Sequence, residues 1–167
     1  PGSTFKIVTA TGALESGVAN ANTTVYCAGT MYLPNEYFPE DTSLAQPFYC
    51  WSTSGHGAIN VVQALAQSCD IYFYQVAGGF KDQPGMGMTT LAAFAEMFGF
   101  GEKTGIPLSG EVDGVVPGDK WKRQNYGEQW LTGDTYNAAI GQGYVLVTPM
   151  QLLNATAAIA NGGTLYQ

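Results

Sequence analysis

The sequence predicts a mainly helical α+β fold, and three observations carry that expectation. Apolar residues fill 46% of the 167 positions, enough for one domain to bury a core. Several segments repeat their apolar residues every three and four positions, the period of a helix that packs on one face. Between them, residues 20–57 turn to Thr, Tyr, Pro, Gly and Asn with isolated aromatics, which reads as short strands or an irregular insertion.

Taken in order, residues 4–16 form the first expected helix: Phe5, Val8, Gly12 and Ala13 fall near one face and Gly17 is placed to end it. It opens at the turn Pro1-Gly2-Ser3. Asn60 then reads as an N-cap for a helix bearing Val61, Val62, Leu65 and Ala66 and ending near Ser68, with a second helix starting at Asp70. After a loop over 81–87, Leu91, Phe94, Ala95 and Phe98 mark an amphipathic helix that stops at Gly99. Residues 99–133, rich in Gly and Pro, read as a connection. Helix returns near Asn137 and after Thr148-Pro149, a cap followed by Pro in the first turn, and ends at Gly162-Gly163. No repeat recurs along the chain.

Composition excludes several functions. Lys and Arg number 6 against 13 Asp and Glu, for a net charge of −7. The densest basic group, Lys120, Lys122 and Arg123, is flanked by Asp119 and Glu128, so nucleic acid is not an expected partner. No apolar run reaches the ~20 residues of a membrane span. Cys27, Cys50 and Cys69 show no CxxC spacing, which argues against a redox motif or zinc ribbon. Neither Pro1-Gly2-Ser3 nor Tyr166-Gln167 reads as a natural terminus, so the chain is expected to be a piece of a longer protein.

Ser3-Thr4-Phe5-Lys6 is the first candidate for chemistry. Three residues along a helix bring a hydroxyl and an amine to one face, where they can exchange a proton. Serine needs such a base, and the backbone N–H at a helix start can hold a developing oxyanion. The bare S-x-x-K pattern arises by chance roughly once in a chain of this size, so context decides. Ser68-Cys69-Asp70, between two helices, offers a second hydroxyl and a carboxylate; plain helix capping is the alternative there.

These blocks, with Gly55-His56-Gly57, Ala64 to Tyr74, Phe98 to Glu111 and Asn137 to Gly163, resemble in order and spacing the transpeptidase domain of penicillin-binding proteins. The resemblance is closest to the class B enzymes, and the Ser-x-Asp form of the second motif points to their elongation-specific, cell-shape branch. It implies the helical part of the penicillin-binding transpeptidase and serine β-lactamase-like fold, with most of the core sheet outside this chain. Ser3 would then be the acylated nucleophile, Lys6 its general base and Ser68 a proton carrier between Lys6 and the leaving amine. Asp70 would stand where most relatives use Asn to contact substrate, although an ionised Asp only accepts hydrogen bonds.

The third family motif, Lys-Thr/Ser-Gly, lies on a strand. Lys103-Thr104-Gly105 is not that motif, because it sits in a Gly-rich connection and Pro107 cannot donate to a sheet ladder. The motif is expected beyond Gln167, and the chain alone is expected to be inactive. The resemblance further implies a serine-type D-Ala-D-Ala transpeptidase or carboxypeptidase acting on peptidoglycan stem peptides and acylated by β-lactams. It implies no cofactor, a location on the periplasmic side of the bacterial inner membrane and a membrane glycosyltransferase of the elongation machinery as partner. A β-lactam sensor, a non-catalytic cell-wall scaffold and a class D-like β-lactamase are the alternatives.

Other conspicuous residues have structural readings. His56, the one histidine, suits a hydrogen bond near the second motif; a zinc site with Cys27 and Cys50, or a Cys27–Cys50 disulfide contributing ~3 kcal/mol, are its rivals. Tyr72, Phe73 and Tyr74 read as core, Gly141-Gln142-Gly143 as a close-packing device, and Glu111 with Asp113 as a solvated turn.

Overall fold

The computed structural model describes residues 1–107 and 109–166. At its centre lies α3 (Asp70–Gly78), whose run Ile71 to Ala77 is buried on every side. A helix apolar all round belongs in the middle of a domain. The long-range contacts of α3 are chiefly with α6 (Thr132–Ala139), β1 (Val25–Cys27), α1 (Lys6–Glu15) and α4 (Gly87–Met97). Tyr72 and Phe73 are fully buried and Tyr74 nearly so, the core role expected of them.

α1 is entered through a 3-10 turn, Gly2–Phe5, and leaves through Gly17 in the left-handed region. Gly12 lets α4 approach: a Cβ there would come within 2.9 Å of the Met86 sulfur and 3.2 Å of the Phe94 ring. α2 (Val61–Ala66) starts at Asn60, which accepts from the Gln63 N–H while the Gln63 side chain accepts from the Asn60 N–H. This reciprocal cap satisfies two donors that a helix start leaves open. Thr148 and Gln151 repeat it at the start of α7 (Pro149–Ala160).

The region 20–57 holds short strands, as its composition suggests. β1 pairs antiparallel with β4 (Gly57–Ile59), Val25 opposite Ile59, and β2 (Thr30–Leu33) pairs with β3 (Gln46–Tyr49), Thr30 opposite Tyr49. Period two sends Met31 and Phe48 into the core and leaves Tyr32 and Tyr49 exposed. Among the described residues no helix is long and apolar enough to cross a membrane.

Three boundaries differ from the sequence reading. α4 begins at Gly87, inside what reads as loop, and α6 begins at Thr132 rather than near Asn137. The stretch 99–133, expected to be a plain connection, contains α5 (Asp119–Tyr126). α5 is mostly polar, with few apolar side chains to bury. Ion pairs hold it instead: Asp119 with Arg123 on its surface, and buried Lys122 with Asp134 at 2.7 Å and Glu128 at 3.4 Å. Lys122 also lies 5.7 Å from the centre of the Tyr144 ring, and Trp121 packs beside Tyr126 and Tyr144.

Candidate active site

Ser3, Lys6, Ser68 and Asp70 come together although the two pairs are more than sixty residues apart in sequence. Ser3 sits in the 3-10 turn and is exposed; Lys6 is the first residue of α1 and only 1% exposed. An ammonium has three protons, and each has an acceptor here. Lys6 Nζ donates to the Ser68 carbonyl at 2.8 Å, to Ser68 Oγ at 2.9 Å and to Asp70 Oδ1 at 2.6 Å. Ser68 Oγ in turn donates to Ser3 Oγ at 2.9 Å. The result is an unbroken chain from the buried amine to the exposed hydroxyl.

Local backbone makes the chain possible. Ser68 adopts φ +51°, one of two non-glycine residues with positive φ among those described. Such strain persists where surroundings enforce it, and here it joins α2 to α3 and presents both the carbonyl and the hydroxyl of one residue to Lys6. Asp70 opens α3, where a carboxylate suits the helix dipole. Its second oxygen accepts the Trp51 backbone N–H at 2.9 Å, and the Trp51 indole N–H reaches the Gln67 carbonyl. Asp70 thus spends both oxygens inside the protein, and its first contact is Lys6.

The turn that carries Ser3 is held from the other side by 141–143. The Gly2 N–H donates to the Gly141 carbonyl at 2.9 Å. Gly141 has φ +69°, and a Cβ on it would lie 2.4 Å from the Gly2 carbonyl oxygen. Only glycine permits that approach, so the Gly-Gln-Gly run packs closely, as read from sequence. Lys103-Thr104-Gly105 forms no strand; the Glu111 carboxylate accepts from the Thr104 and Gly105 N–H groups and the Thr104 hydroxyl. Those bonds, the Thr104 hydroxyl first, lower the Glu111 pKa.

Beside this site, Cys27, Cys50, Cys69 and His56 place one ligand atom each within 4.8 Å of all the others. All three thiols are free, so the Cys27–Cys50 disulfide is not formed. His56 Nδ1 lies 3.6 Å from Cys27 Sγ and 3.5 Å from Cys50 Sγ, and Cys50 Sγ lies 3.9 Å from Cys69 Sγ. A tetrahedral Zn²⁺ with ordinary bond lengths separates its ligands by ~3.8 Å for two sulfurs and ~3.5 Å for sulfur and nitrogen. The quartet therefore fits a closed, four-ligand structural metal site, with no position left for a reacting water. Burial pushes the Cys69 thiol pKa up, with the neighbouring thiols adding to the effect.

Sequence reasoning paired Cys27, Cys50 and His56 but left out Cys69. The missing signal was Cys69 itself, which lies inside the Ser68-Cys69-Asp70 motif and is brought to the other three only by tertiary folding. Trp51 was missed as well, and nothing in its sequence neighbourhood marks it, because its backbone N–H makes the contact.

Comparison with known proteins places this geometry in a family. Residues 1–167 match the penicillin binding protein transpeptidase domain. Among curated proteins, the peptidoglycan D,D-transpeptidase MrdA of Acinetobacter baumannii is 36% identical over 164 residues, covering 98% of this chain and 22% of its own length. Among solved structures, PBP2 of Pseudomonas aeruginosa in complex with WCK 5153 superposes with a TM-score of 0.85 at 36% identity, over 98% of this chain and 34% of that one. The complex of PBP2 and MreC from Helicobacter pylori gives a TM-score of 0.83 at 33% identity, over 97% and 28%. This chain spans about a fifth of the curated relative's length, and within that span it belongs to the penicillin-binding protein transpeptidase family.

Proposed function

We propose that the chain carries the nucleophile half of a peptidoglycan D,D-transpeptidase of the elongation type. The observation that carries the reading is the hydrogen-bonded line Lys6–Ser68–Ser3, anchored by Asp70. Once the Lys6 ammonium has handed one proton across its 2.6 Å bond to Asp70, Ser3 Oγ attacks the amide carbonyl between the two terminal D-alanines of a stem peptide, its proton passing by way of Ser68 Oγ to Lys6. The C–N bond breaks, and the leaving D-alanine takes a proton from Ser68, which Lys6 refills. The ester on Ser3 then passes to an amine of a second stem, which closes the cross-link and returns the Ser3 proton. Water in place of the amine makes the same site a carboxypeptidase.

In this arrangement the direction of donation, Lys6 to Ser68 to Ser3, is that needed to protonate a leaving amine. Asp70 acts here as a positioning residue: it orients Lys6, and its contact with substrate runs through that pairing. The strand motif expected beyond Gln167 would supply the grip on the terminal carboxylate and a second oxyanion donor. The site would face the periplasm, in a protein anchored in the inner membrane. A membrane glycosyltransferase would be its partner, a reading supported by the likeness, at a TM-score of 0.79 and 36% identity, to part of a peptidoglycan synthase complex that coordinates polymerization and crosslinking.

The test uses the full-length protein, a stem pentapeptide ending in D-Ala-D-Ala and an amine acceptor, with products read by mass spectrometry. Release of D-alanine with an equal amount of cross-linked product supports the reading. Rapid turnover of penicillin would point to a β-lactamase, and a single acylation without D-alanine release to a sensor.

A further inference from the structure

The turn that carries Ser68 closes α2 in a particular way. Ser68 stands one residue past Gln67, the end cap of α2, and its N–H donates to the Leu65 carbonyl at 3.2 Å. The Cys69 N–H reaches back to the Ala64 carbonyl at 2.9 Å. These two bonds, with φ +51° at Ser68, form a left-handed helix end, and glycine is the usual residue at its left-handed position. A side chain with a Cβ is strained there and persists only where its surroundings enforce it. Glycine would relieve the strain, but it has no hydroxyl to relay a proton.

A helix end also leaves its last carbonyls short of donors. Trp51 supplies one, because its indole N–H donates to the Gln67 carbonyl at 2.9 Å. Its backbone N–H donates to Asp70 Oδ2, also at 2.9 Å. The two bonds fall on residues 67 and 70, either side of Ser68, so one residue brackets the left-handed turn from outside. Lys6 meets the same turn from inside, through the Ser68 carbonyl and hydroxyl. The Trp51 side chain is 66% exposed, yet it is tied at its N–H and lies 5.5 Å, ring centre to ring centre, from His56. Its place is set by these ties and not by burial.

We infer that Trp51 is a positioning residue for acylation: its indole N–H, acting through the Gln67 carbonyl, holds Ser68 in the left-handed conformation that joins Lys6 to Ser3. The inference rests on the transpeptidase reading, which makes Ser68 the proton relay. Rotation of Ser68 toward an ordinary φ swings its carbonyl and hydroxyl away from Lys6 together. The 2.9 Å step from Lys6 and the 2.9 Å step to Ser3 then both lengthen. Proton transfer needs hydrogen-bond reach, so a displaced Ser68 slows the chemical step while the first, non-covalent docking of a ligand stays intact. Any residue but proline at position 51 keeps a backbone N–H for Asp70, whereas the bond to Gln67 needs the indole.

The experiment follows Ser3 acylation by penicillin in the full-length protein, by rapid-quench mass spectrometry over a range of penicillin concentrations. This separates the acylation rate constant from the dissociation constant of the preceding non-covalent complex. Trp51→Phe keeps an aromatic ring and loses the indole N–H. A second variant carries benzothienylalanine at position 51, introduced by codon suppression, which keeps the indole shape and puts sulfur in place of the N–H. Both are expected to lower the acylation rate constant about tenfold and to leave the dissociation constant within about twofold of wild type. An unchanged rate constant in the benzothienyl variant overturns the inference, whatever Trp51→Phe does to folding. A lower final adduct yield at the wild-type rate constant, the mark of a residue that only stabilises the fold, overturns it too. So does a loss confined to the dissociation constant, the mark of a ring that contacts the ligand. No acylation of Ser3 in the wild-type protein would instead overturn the transpeptidase reading on which the inference stands.

Discussion

Lys6 places its three ammonium protons on acceptors within 2.9 Å, two of them on Ser68 and one on Asp70. Both charged side chains of the pair are largely out of water, at 2% and 12% exposure. Removing one partner of such a pair strands the other, a loss of about 3–5 kcal/mol, whereas replacing both by apolar groups is often neutral. Lys6→Met is therefore expected to destabilise by that amount and Lys6→Met with Asp70→Leu to recover most of it, as read by urea unfolding. A double variant no more stable than the single one would remove Asp70 as the counterion. Tyr72 offers a simpler case. Among the described residues its buried hydroxyl has no partner, and burial raises its pKa to about 12. Since an unmet buried hydroxyl is a cost, Tyr72→Phe should stabilise the fold by roughly 1 kcal/mol, visible as a higher urea midpoint.

At the scale of elements, the Cys27, Cys50, His56 and Cys69 quartet ties the ends of β1 and β3, the loop before β4 and the joint between α2 and α3. The same joint holds Ser68 and Asp70, and the residue after Cys50 is Trp51, whose N–H holds Asp70. Protein purified under reducing conditions should carry one zinc per chain by elemental analysis. A strong chelator should lower its melting temperature, and Cys69→Ser should lose the metal. Metal-free protein with an unchanged melting temperature after chelator would contradict this. The elements that sequence revealed are those whose signal is local: Asn60 and Thr148-Pro149 announce α2 and α7 through their caps, and apolar spacing announces α1. α5 was hidden because Lys122 pairs with Asp134, a residue of the next helix, and no periodic stripe records such a tie. The quartet was hidden for the same reason, since two ribbons and a helix joint must meet before its spacing exists.

For the whole molecule, the site depends on parts remote in sequence: Ser3 and Lys6 at one end, Ser68 and Asp70 in the middle, and Gly141, which receives the Gly2 N–H. The S-x-x-K and S-x-D residues stood out only through the resemblance of several ordered blocks to a known family, since their spacing alone is at chance level, whereas the Asp70–Lys6 contact and the Trp51 N–H left no signal, because both are set by packing around α3. That packing also fixes how the fold responds to alkali. Burial raises Tyr72 and Tyr136 from the ordinary 10.0 to about 12 each. Their contribution is complete below pH 10, where both states hold the proton. Between about 10 and 12 only the unfolded chain releases it, so stability falls as pH rises. The urea midpoint should drop between pH 9 and pH 11, and drop less in Tyr72→Phe; equal drops in the two proteins would contradict the burial argument. The central claim, that Lys6 acting through Ser68 makes Ser3 the nucleophile, is tested most directly by penicillin treatment of the full-length protein followed by intact-mass and peptide-mapping spectrometry. The account predicts one adduct, on Ser3, absent in Ser3→Ala and formed at least ~100-fold more slowly in Lys6→Met and Ser68→Ala. An adduct on another residue, or one on Ser3 at an undiminished rate without Lys6, would contradict it.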